Sequence, residues 1–334
     1  MKKILITGGA GYIGSNVVKL LAEKKYEIFV VDNFSNSFSF HIENLIKNYP
    51  EKIKLFKFDL KNAKNLKNLF KNCKFDAVLH LAGKKYIPES FKLKDEYFEN
   101  NVVATQILLD AMSEFQVKKL VFPSSLSVYG MQKNFPIIEE SLLNPQSPYA
   151  ENKAENEKMI EKWAKQNNAK AIVLRLSNPL GADTEFMLGD HSTKGAKGVL
   201  NYLLNCAEEN AKVFLNGGNH PTKDGTTIRN YVHVSDVAKA FCLALEKNIS
   251  PSNFLVLNIG SELDVSVLDL LHAVEKCSEK TLPYEFKPSL EGDVDFLISD
   301  ITKAKNLLNF SPSKSLIDMV SDTKKFREFL RSLN

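Results

Sequence analysis

Ile4-Leu5-Ile6-Thr7-Gly8-Gly9-Ala10-Gly11-Tyr12-Ile13-Gly14 is the stretch that decides the fold. An apolar run stops at a glycine cluster and an amphipathic segment, residues 17–22, follows, which is the order strand, tight turn, helix. With glycines at 8, 11 and 14 the backbone turns sharply, approaches a diphosphate closely and packs helix on strand. The first amides of the helix then face the anion.

The next apolar run, residues 28–31, ends at Asp32, 18 residues past Gly14 and near the ~20-residue spacing of a carboxylate that binds ribose hydroxyls. A carboxylate there repels a 2′-phosphate, so NAD is expected rather than NADP. Three glycines alone would be a weak signal; their place after a strand and the arrival of Asp32 sharpen it.

At 334 residues the chain exceeds the size at which one core keeps growing, so two lobes are expected, and a 44% hydrophobic fraction supports full cores. Cys73, Cys206, Cys242 and Cys277 are scattered without paired spacing, which argues against a zinc site or a disulfide framework and for a reducing cytoplasm. No metal is expected. Only three apolar residues separate Lys2 and Lys3 from the glycines, and no apolar run approaches membrane-spanning length, so neither a signal peptide nor a membrane partner is expected. The net charge of +4 is spread along the chain instead of forming a basic stripe, which argues against nucleic acid. Forty Lys stand against four Arg (Arg175, Arg229, Arg327 and Arg331), so an Arg inside a loop with site character is notable.

Strand patterns at 53–58, 77–81, 120–122 and 171–176 alternate with helical patterns at 62–71, 95–115 and 149–166. This alternation predicts an α/β fold, a doubly wound parallel sheet of Rossmann-like kind, with a second, smaller α/β substrate-binding lobe. The second lobe starts after Pro179, where a Gly-rich and polar stretch leads to a helix and the loop 216–229. A strand end and helix at 232–245 and a strand at 256–259 return the chain to the first lobe. The division expected is 1–179 plus 231–259 for NAD, and 180–230 plus 260–334 for the substrate.

Tyr149 and Lys153 stand i, i+4 on a helix that starts after Pro148, so they share a face. A nearby ammonium favours a phenolate and lowers its pKa by about 1–3 units, toward general-base range. Chance alone supplies ~1.2 Tyr-x-x-x-Lys matches in this composition, and a second exists at Tyr129 and Lys133. That one lies in a turn beside Gly130 and is read as a decoy. Tyr149 gains a partner from Ser124-Ser125, which follows the strand 120–122 at the edge where such sheets bind ligands; a serine pair after a strand is otherwise a common structural cap.

These residues resemble the extended short-chain dehydrogenase/reductase family, and within it the UDP-galactose 4-epimerases. The likeness runs along nearly the whole chain, through Asp32-Asn33 with Asn36-Ser37, Asp59, Leu81-Ala82-Gly83-Lys84-Lys85, Asn100-Asn101, Val128-Tyr129-Gly130, Pro148-Tyr149, Asn178-Pro179, Arg229 and Glu291-Gly292-Asp293. It implies an NAD-dependent isomerase of nucleotide sugars: the tyrosinate takes the proton of the sugar's 4-hydroxyl, and a transient 4-keto sugar rotates and is reduced on its other face. By position Tyr149 is the base, Lys153 its partner and Ser125 the second contact of the hydroxyl. The cofactor set implied is Gly8, Gly11, Tyr12, Ile13 and Gly14; Asp32, Asn33, Asn36 and Ser37; Asp59 and Leu60; Leu81, Ala82, Gly83, Lys85 and Asn100; and Tyr149, Lys153 and Ser177. The substrate set is Lys85, Ser125, Tyr149, Asn178, Val199, Arg229 and Asp293. The resemblance also implies a homodimer through the helices 95–115 and 149–166, with Val102, Val103, Ile107, Leu108, Met159, Ile160 and Trp163 as its apolar residues.

Departures cluster on the substrate side. Leu290 replaces a second Arg at the substrate diphosphate, Lys197-Gly198-Val199 replaces Asn-Asn-Leu, and Leu297 stands where a Tyr often gates the sugar pocket, which leaves room for an N-acetyl group. A 4,6-dehydratase would carry an Asp-Glu pair where Leu126 and Ser127 stand. The pattern is also open to an epimerase or decarboxylase of uronic acids and to a non-catalytic NAD-binding module.

Overall fold

The computed structural model describes residues 1–191, 198–250, 254–289 and 294–333. Its strands are β1 (Lys2–Thr7), β2 (Tyr26–Asp32), β3 (Ile53–Lys57), β4 (Ala77–His80), β5 (Lys119–Ser125), β6 (Lys170–Leu176), β7 (Asn178–Leu180), β8 (Val213–Asn216), β9 (Ile228–His233), β10 (Phe254–Ile259), β11 (Asp264–Ser266), β12 (Tyr284–Lys287) and β13 (Phe296–Leu297). Its helices are α1 (Tyr12–Glu23), α2 (Ser39–Asn48), α3 (Ala63–Asn72), α4 (Ile87–Lys92), α5 (Lys94–Phe98), α6 (Ala104–Glu114), α7 (Pro148–Gln166), α8 (Val199–Glu209), α9 (Val234–Glu246), α10 (Val267–Ser278), α11 (Thr302–Leu308) and α12 (Leu316–Ser332).

Seven strands form one parallel sheet in the order β10-β6-β5-β4-β1-β2-β3. Strands buried on both faces need apolar residues at consecutive positions, and the two-residue period divides them. Ile4, Ile6 and Val30 join the core shared with α1 and α9, whereas Leu5, Phe29 and Val31 join the core shared with α3, α6 and α7. The chain winds outward from β1 through β2 to β3 and in the other direction from β4, so the switch point lies between β1 and β4 and opens a crevice at their carboxyl ends.

A smaller sheet joins β11, β9 and β13, with β7 also paired to β9, and β8 pairs with β12. The expected boundaries at 179 and 230 thus fall within β7 and β9, which pair with each other outside the large sheet. Helices α8, α10 and α12 supply a separate apolar cluster.

The helix expected over 95–115 is α5 and α6 joined by a π-helical turn, Glu99–Val103. The wider turn leaves the carbonyl of Asn101 accepting from Thr105 Oγ1 at 2.6 Å and from Asn156 Nδ2 at 2.9 Å, tying this helix to α7. The apolar residues expected to face a second copy mostly point inward: Leu108, Ile160 and Trp163 belong to the core against β5, and Val102 is buried. A helix packed on a sheet spends its apolar stripe there first, and a stripe read from sequence does not name its partner. Among the described residues no helix is long and apolar enough to cross a membrane.

Candidate active site

Thr7 ends β1, and Gly8 turns the chain with φ +70°. A Cβ at Gly14 would lie 2.1 Å from the Gly8 oxygen, and one at Gly8 would lie 2.5 Å from the Ala82 nitrogen, so both positions require glycine because backbone occupies the space. Gly11 then precedes the first turn of α1. Asp32, at the end of β2, accepts from Ala10 N (3.1 Å), Phe34 N (2.9 Å) and Ser37 Oγ (3.0 Å), which holds the loop after β2 against the glycine turn. Burial pushes this carboxyl up and the three hydrogen bonds pull it back.

A cavity of about 120 Å³ lies there, lined by Asp32, Asn33, Asn36 and Ser37 on one side. Asp59, Leu60, Leu81, Ala82, Gly83 and Asn100 close the other. Asp59 accepts from Asn33 Nδ2 at 2.9 Å. Asn100 donates to Glu96 O, whereas the neighbouring Asn101 positions the loop after β4: its Oδ1 accepts from Lys84 N (2.7 Å) and its Nδ2 donates to Lys84 O (3.0 Å). Sequence reasoning assigns Asn101 no role, because a side chain that pairs with backbone 17 residues away leaves no local pattern.

The adjoining crevice, about 250 Å³, brings the glycine turn and the expected redox residues together. Gly8, Gly11, Tyr12, Ile13 and Gly14 line it from one side, and Ser125, Tyr149, Lys153 and Ser177 from the sheet edge. Ser147 caps α7 by accepting from Ala150 N at 3.2 Å, and Pro148 at its first turn sets the helix start, which delivers Tyr149 to the crevice. Ser125 ends β5 and lines the crevice beside Tyr149, near enough for its hydroxyl to favour the phenolate.

The electrostatics differ from the expectation. Burial pushes Tyr149 up to about 12, and the Ser125 hydroxyl only partly reverses this. Lys153 does not offset it: its ammonium donates to Pro123 O at 2.7 Å and lies 5.8 Å from the Tyr149 ring centroid. Burial also lowers Lys153 to about 8, with the Glu157 carboxylate pulling it back up. Desolvation opposes charge on both groups and outweighs their spacing on one helix face.

The decoy is a structural tyrosine. Tyr129 OH donates to Asn258 Oδ1 (2.8 Å) and accepts from Arg175 Nη1 (2.7 Å), while Arg175 forms a fork with the buried Glu157 carboxylate (3.0 and 2.7 Å).

A second cavity of about 250 Å³ extends the crevice toward the smaller lobe. Lys85 and Asn178 are shared by both spaces, and Val199, Asn201, Tyr231 and Thr323 line the extension. Lys85 pairs with Asp190 at 3.0 Å. Arg229 is not among the lining residues of either cavity; its Nη1 donates to Ile228 O at 2.9 Å, with Asp295 O at 3.5 Å. Asp293, Leu290 and Lys197 lie outside the described residues. Leu297 packs beside Tyr129, Val128 and Ala154.

Two hydroxyls bear on the cofactor. Ser124 Oγ and Ser177 Oγ are buried at the crevice with no hydrogen-bond partner among the described residues. Leaving a buried hydroxyl unpaired costs about 1–3 kcal/mol, which a ligand with polar edges removes. With a glycine cradle that excludes Cβ atoms and the buried Asp32 carboxylate lining the adjoining cavity, the residues present fit NAD.

A doubly wound sheet whose switch point holds a glycine turn, a buried carboxylate at the end of β2 and a Ser-Tyr-Lys set defines an NAD-dependent short-chain dehydrogenase/reductase site. The chain belongs to the NAD dependent epimerase/dehydratase family, whose model matches residues 4–260. It is 35% identical over 329 residues to the UDP-glucose 4-epimerase of Bacillus subtilis (strain 168), covering 97% of this chain and 96% of that one. Among solved structures it is similar to the UDP-glucose-4-epimerase of Stenotrophomonas maltophila with bound NAD and formylated UDP-arabinopyranose, at TM-score 0.95 and 30% identity over 100% of both chains. It is also similar to the UDP-Glc/GlcNAc 4-epimerase of Campylobacter jejuni, at TM-score 0.85 and 31% identity, covering 98% of this chain and 100% of that one.

Proposed function

We propose that this chain is an NAD-dependent 4-epimerase that interconverts UDP-glucose and UDP-galactose, within galactose metabolism in the cytoplasm. The observation that carries this reading is the buried Tyr149 phenol beside Ser125 in the crevice of the glycine turn, in a chain similar to UDP-glucose 4-epimerases.

NAD, when bound, supplies the hydride acceptor and donor and a positive charge beside the phenol. Tyr149 takes the proton of the sugar's 4-hydroxyl and later returns it, while Ser125 holds that oxygen. The positive charge beside the phenol offsets the burial that keeps it protonated. Lys153, held by Pro123 O at 2.7 Å, would hold the ribose of the cofactor. Asp32, Asn36, Ser37, Asp59, Asn100 and their neighbours hold the adenosine half, and Lys85 the diphosphate region. Asn178 and Val199 direct the nucleotide into the extension, with Arg229 as the expected contact of its diphosphate and Asp293 as a further expected substrate contact. The NAD lobe then comprises 1–179 and 231–259, and the nucleotide-sugar lobe 180–230 and 260–334.

A second reading adds the N-acetylated pair. Leu297 is smaller than the tyrosine expected there, and the Campylobacter jejuni neighbour is a UDP-Glc/GlcNAc 4-epimerase.

Incubating the purified protein, without added NAD, with UDP-galactose and separately with UDP-N-acetylgalactosamine tests both readings by chromatography of the products. Conversion of UDP-galactose supports the first reading, and conversion of the N-acetylated sugar alone replaces it with the second. Bound NAD with neither conversion sinks the proposal. We also propose a homodimer: Phe91, Leu93 and Phe98 are exposed apolar residues of α4, α5 and the link between them, beside α7. Sedimentation showing only monomer at micromolar concentration would overturn it.

A further inference from the structure

Residues 181–191 leave β7 and run across α1 before the smaller lobe's first helix. Their first part is firmly rooted. Tyr12 OH donates to Gly181 O at 2.7 Å, and the buried Asn16 donates to Leu188 O at 3.3 Å. Lys19, also buried, reaches Asp183 at 2.7 Å and Glu185 at 2.9 Å, and sits 4.9 Å from the Phe186 ring centroid. Asn44, on α2, donates to Phe186 O at 3.2 Å.

The tip is held differently. Asp190 pairs with Lys85, in the loop after β4, and His191 stacks on Phe38, in the loop after β2, with ring centroids 4.3 Å apart and planes 15° apart. These two loops flank the glycine turn, and Asp190 and His191 line the same crevice as Gly8, Gly11 and Gly14. The segment is therefore anchored on α1, whose N-terminal residues line the crevice, and latched to a loop on each side of it. The latches are weak: the Lys85 side chain is 49% exposed and Phe38 36%, and exposed ion pairs contribute little to stability.

We propose that residues 181–191 form a strap over the diphosphate of bound NAD, and that its tip, through Asp190–Lys85 and His191–Phe38, sets the rate at which the cofactor enters and leaves. Among the described residues, opening parts the two tip contacts and the looser approach of His191 to Phe40 (6.2 Å), while the bonds to Lys19, Asn16 and Tyr12 and the close approach of Gly189 to Phe326 keep the root in place. A strap of this kind raises entry and exit rates together when its latch is weakened, because the barrier is shared; loss of an ordinary contact raises the exit rate alone.

The test uses the holoprotein and the variants Asp190→Asn, Phe38→Ala and their combination. Bound NAD is exchanged for its fluorescent ethenoadenine analogue to give the dissociation rate, and the affinity is measured by titration after cofactor removal. Each substitution is expected to raise dissociation about three- to tenfold, with affinity changing less than about threefold. Unchanged dissociation in the double variant overturns the strap. So does a rise in dissociation matched by an equal loss of affinity, which identifies Asp190 or Phe38 as a simple contact. Phe38 is partly exposed at the surface, so its truncation leaves a folded protein to measure even where Asp190→Asn does not.

Discussion

Replacing Tyr149 and Tyr129 in turn by Phe separates chemistry from support. The two residues are both buried, both followed by Lys at i+4, and each loses a single oxygen. At Tyr129 that oxygen bridges Arg175 Nη1 and Asn258 Oδ1, so Tyr129→Phe leaves a buried guanidinium N–H and a buried amide oxygen unpaired. At about 1–3 kcal/mol per group, the expected loss is about 2–6 kcal/mol, with a fall in Tm on the order of 5 °C. At Tyr149 the oxygen lies near Ser125, whose hydroxyl accepts from Ser127 Oγ at 2.9 Å and Ser127 N at 3.2 Å, so removing the phenol oxygen leaves Ser125 with partners. Tyr149→Phe is therefore expected to change stability by less than about 1 kcal/mol. Its turnover falls by a factor of about 10²–10⁴, the scale of general acid–base catalysis. Steady-state rates with UDP-galactose at room temperature and urea unfolding of both variants make the comparison. Equal loss of turnover in two folded variants, or an unstable Tyr149→Phe beside a stable Tyr129→Phe, would refute the assignment.

Gly14→Ala should abolish NAD binding and cost at least about 2 kcal/mol, because its Cβ would meet backbone at 2.1 Å; Gly11→Ala, with its nearest atom at 3.4 Å, should keep its fold by circular dichroism and urea titration. Asp32→Asn removes the charge that repels a 2′-phosphate, so fluorescence titration should show NAD weakened about tenfold and NADP strengthened. Burial lowers His80 to about 3 and His41 to about 4, so below about pH 6.5 the unfolded chain takes up protons that the folded chain does not. Stability should fall as pH falls, by about 1.4 kcal/mol per pH unit for each histidine, and His80→Gln should make the slope between about pH 6 and pH 4 shallower in urea unfolding. An unchanged slope would contradict the burial of a neutral His80.

Much of the cofactor site is legible in the sequence because its signals are contiguous. Gly8, Gly11, Gly14 and Asp32 lie within one strand-turn-helix-strand unit, and Tyr149 and Lys153 one turn apart on α7, so local spacing places them. Helix context favours Tyr149 over Tyr129, and the network around Tyr129 supplies the physical reason. The inward turn of Leu108, Ile160 and Trp163 is hidden from the sequence because amphipathicity names a buried face without naming what buries it.

From the amino-acid sequence alone come the alternation of strands and helices, the glycine turn, the acidic end of β2 and the phenol–ammonium pair, since each depends on neighbours a few residues apart. Tertiary structure alone decides the strand order, the Asn101 clamp on Lys84, the Asp190–Lys85 latch and the protonation of Tyr149. Those depend on which distant backbones meet and how much water they exclude. A hydrogen bond across 17 or 105 residues, or a phenol raised to about 12 by burial, is a property of the packed whole.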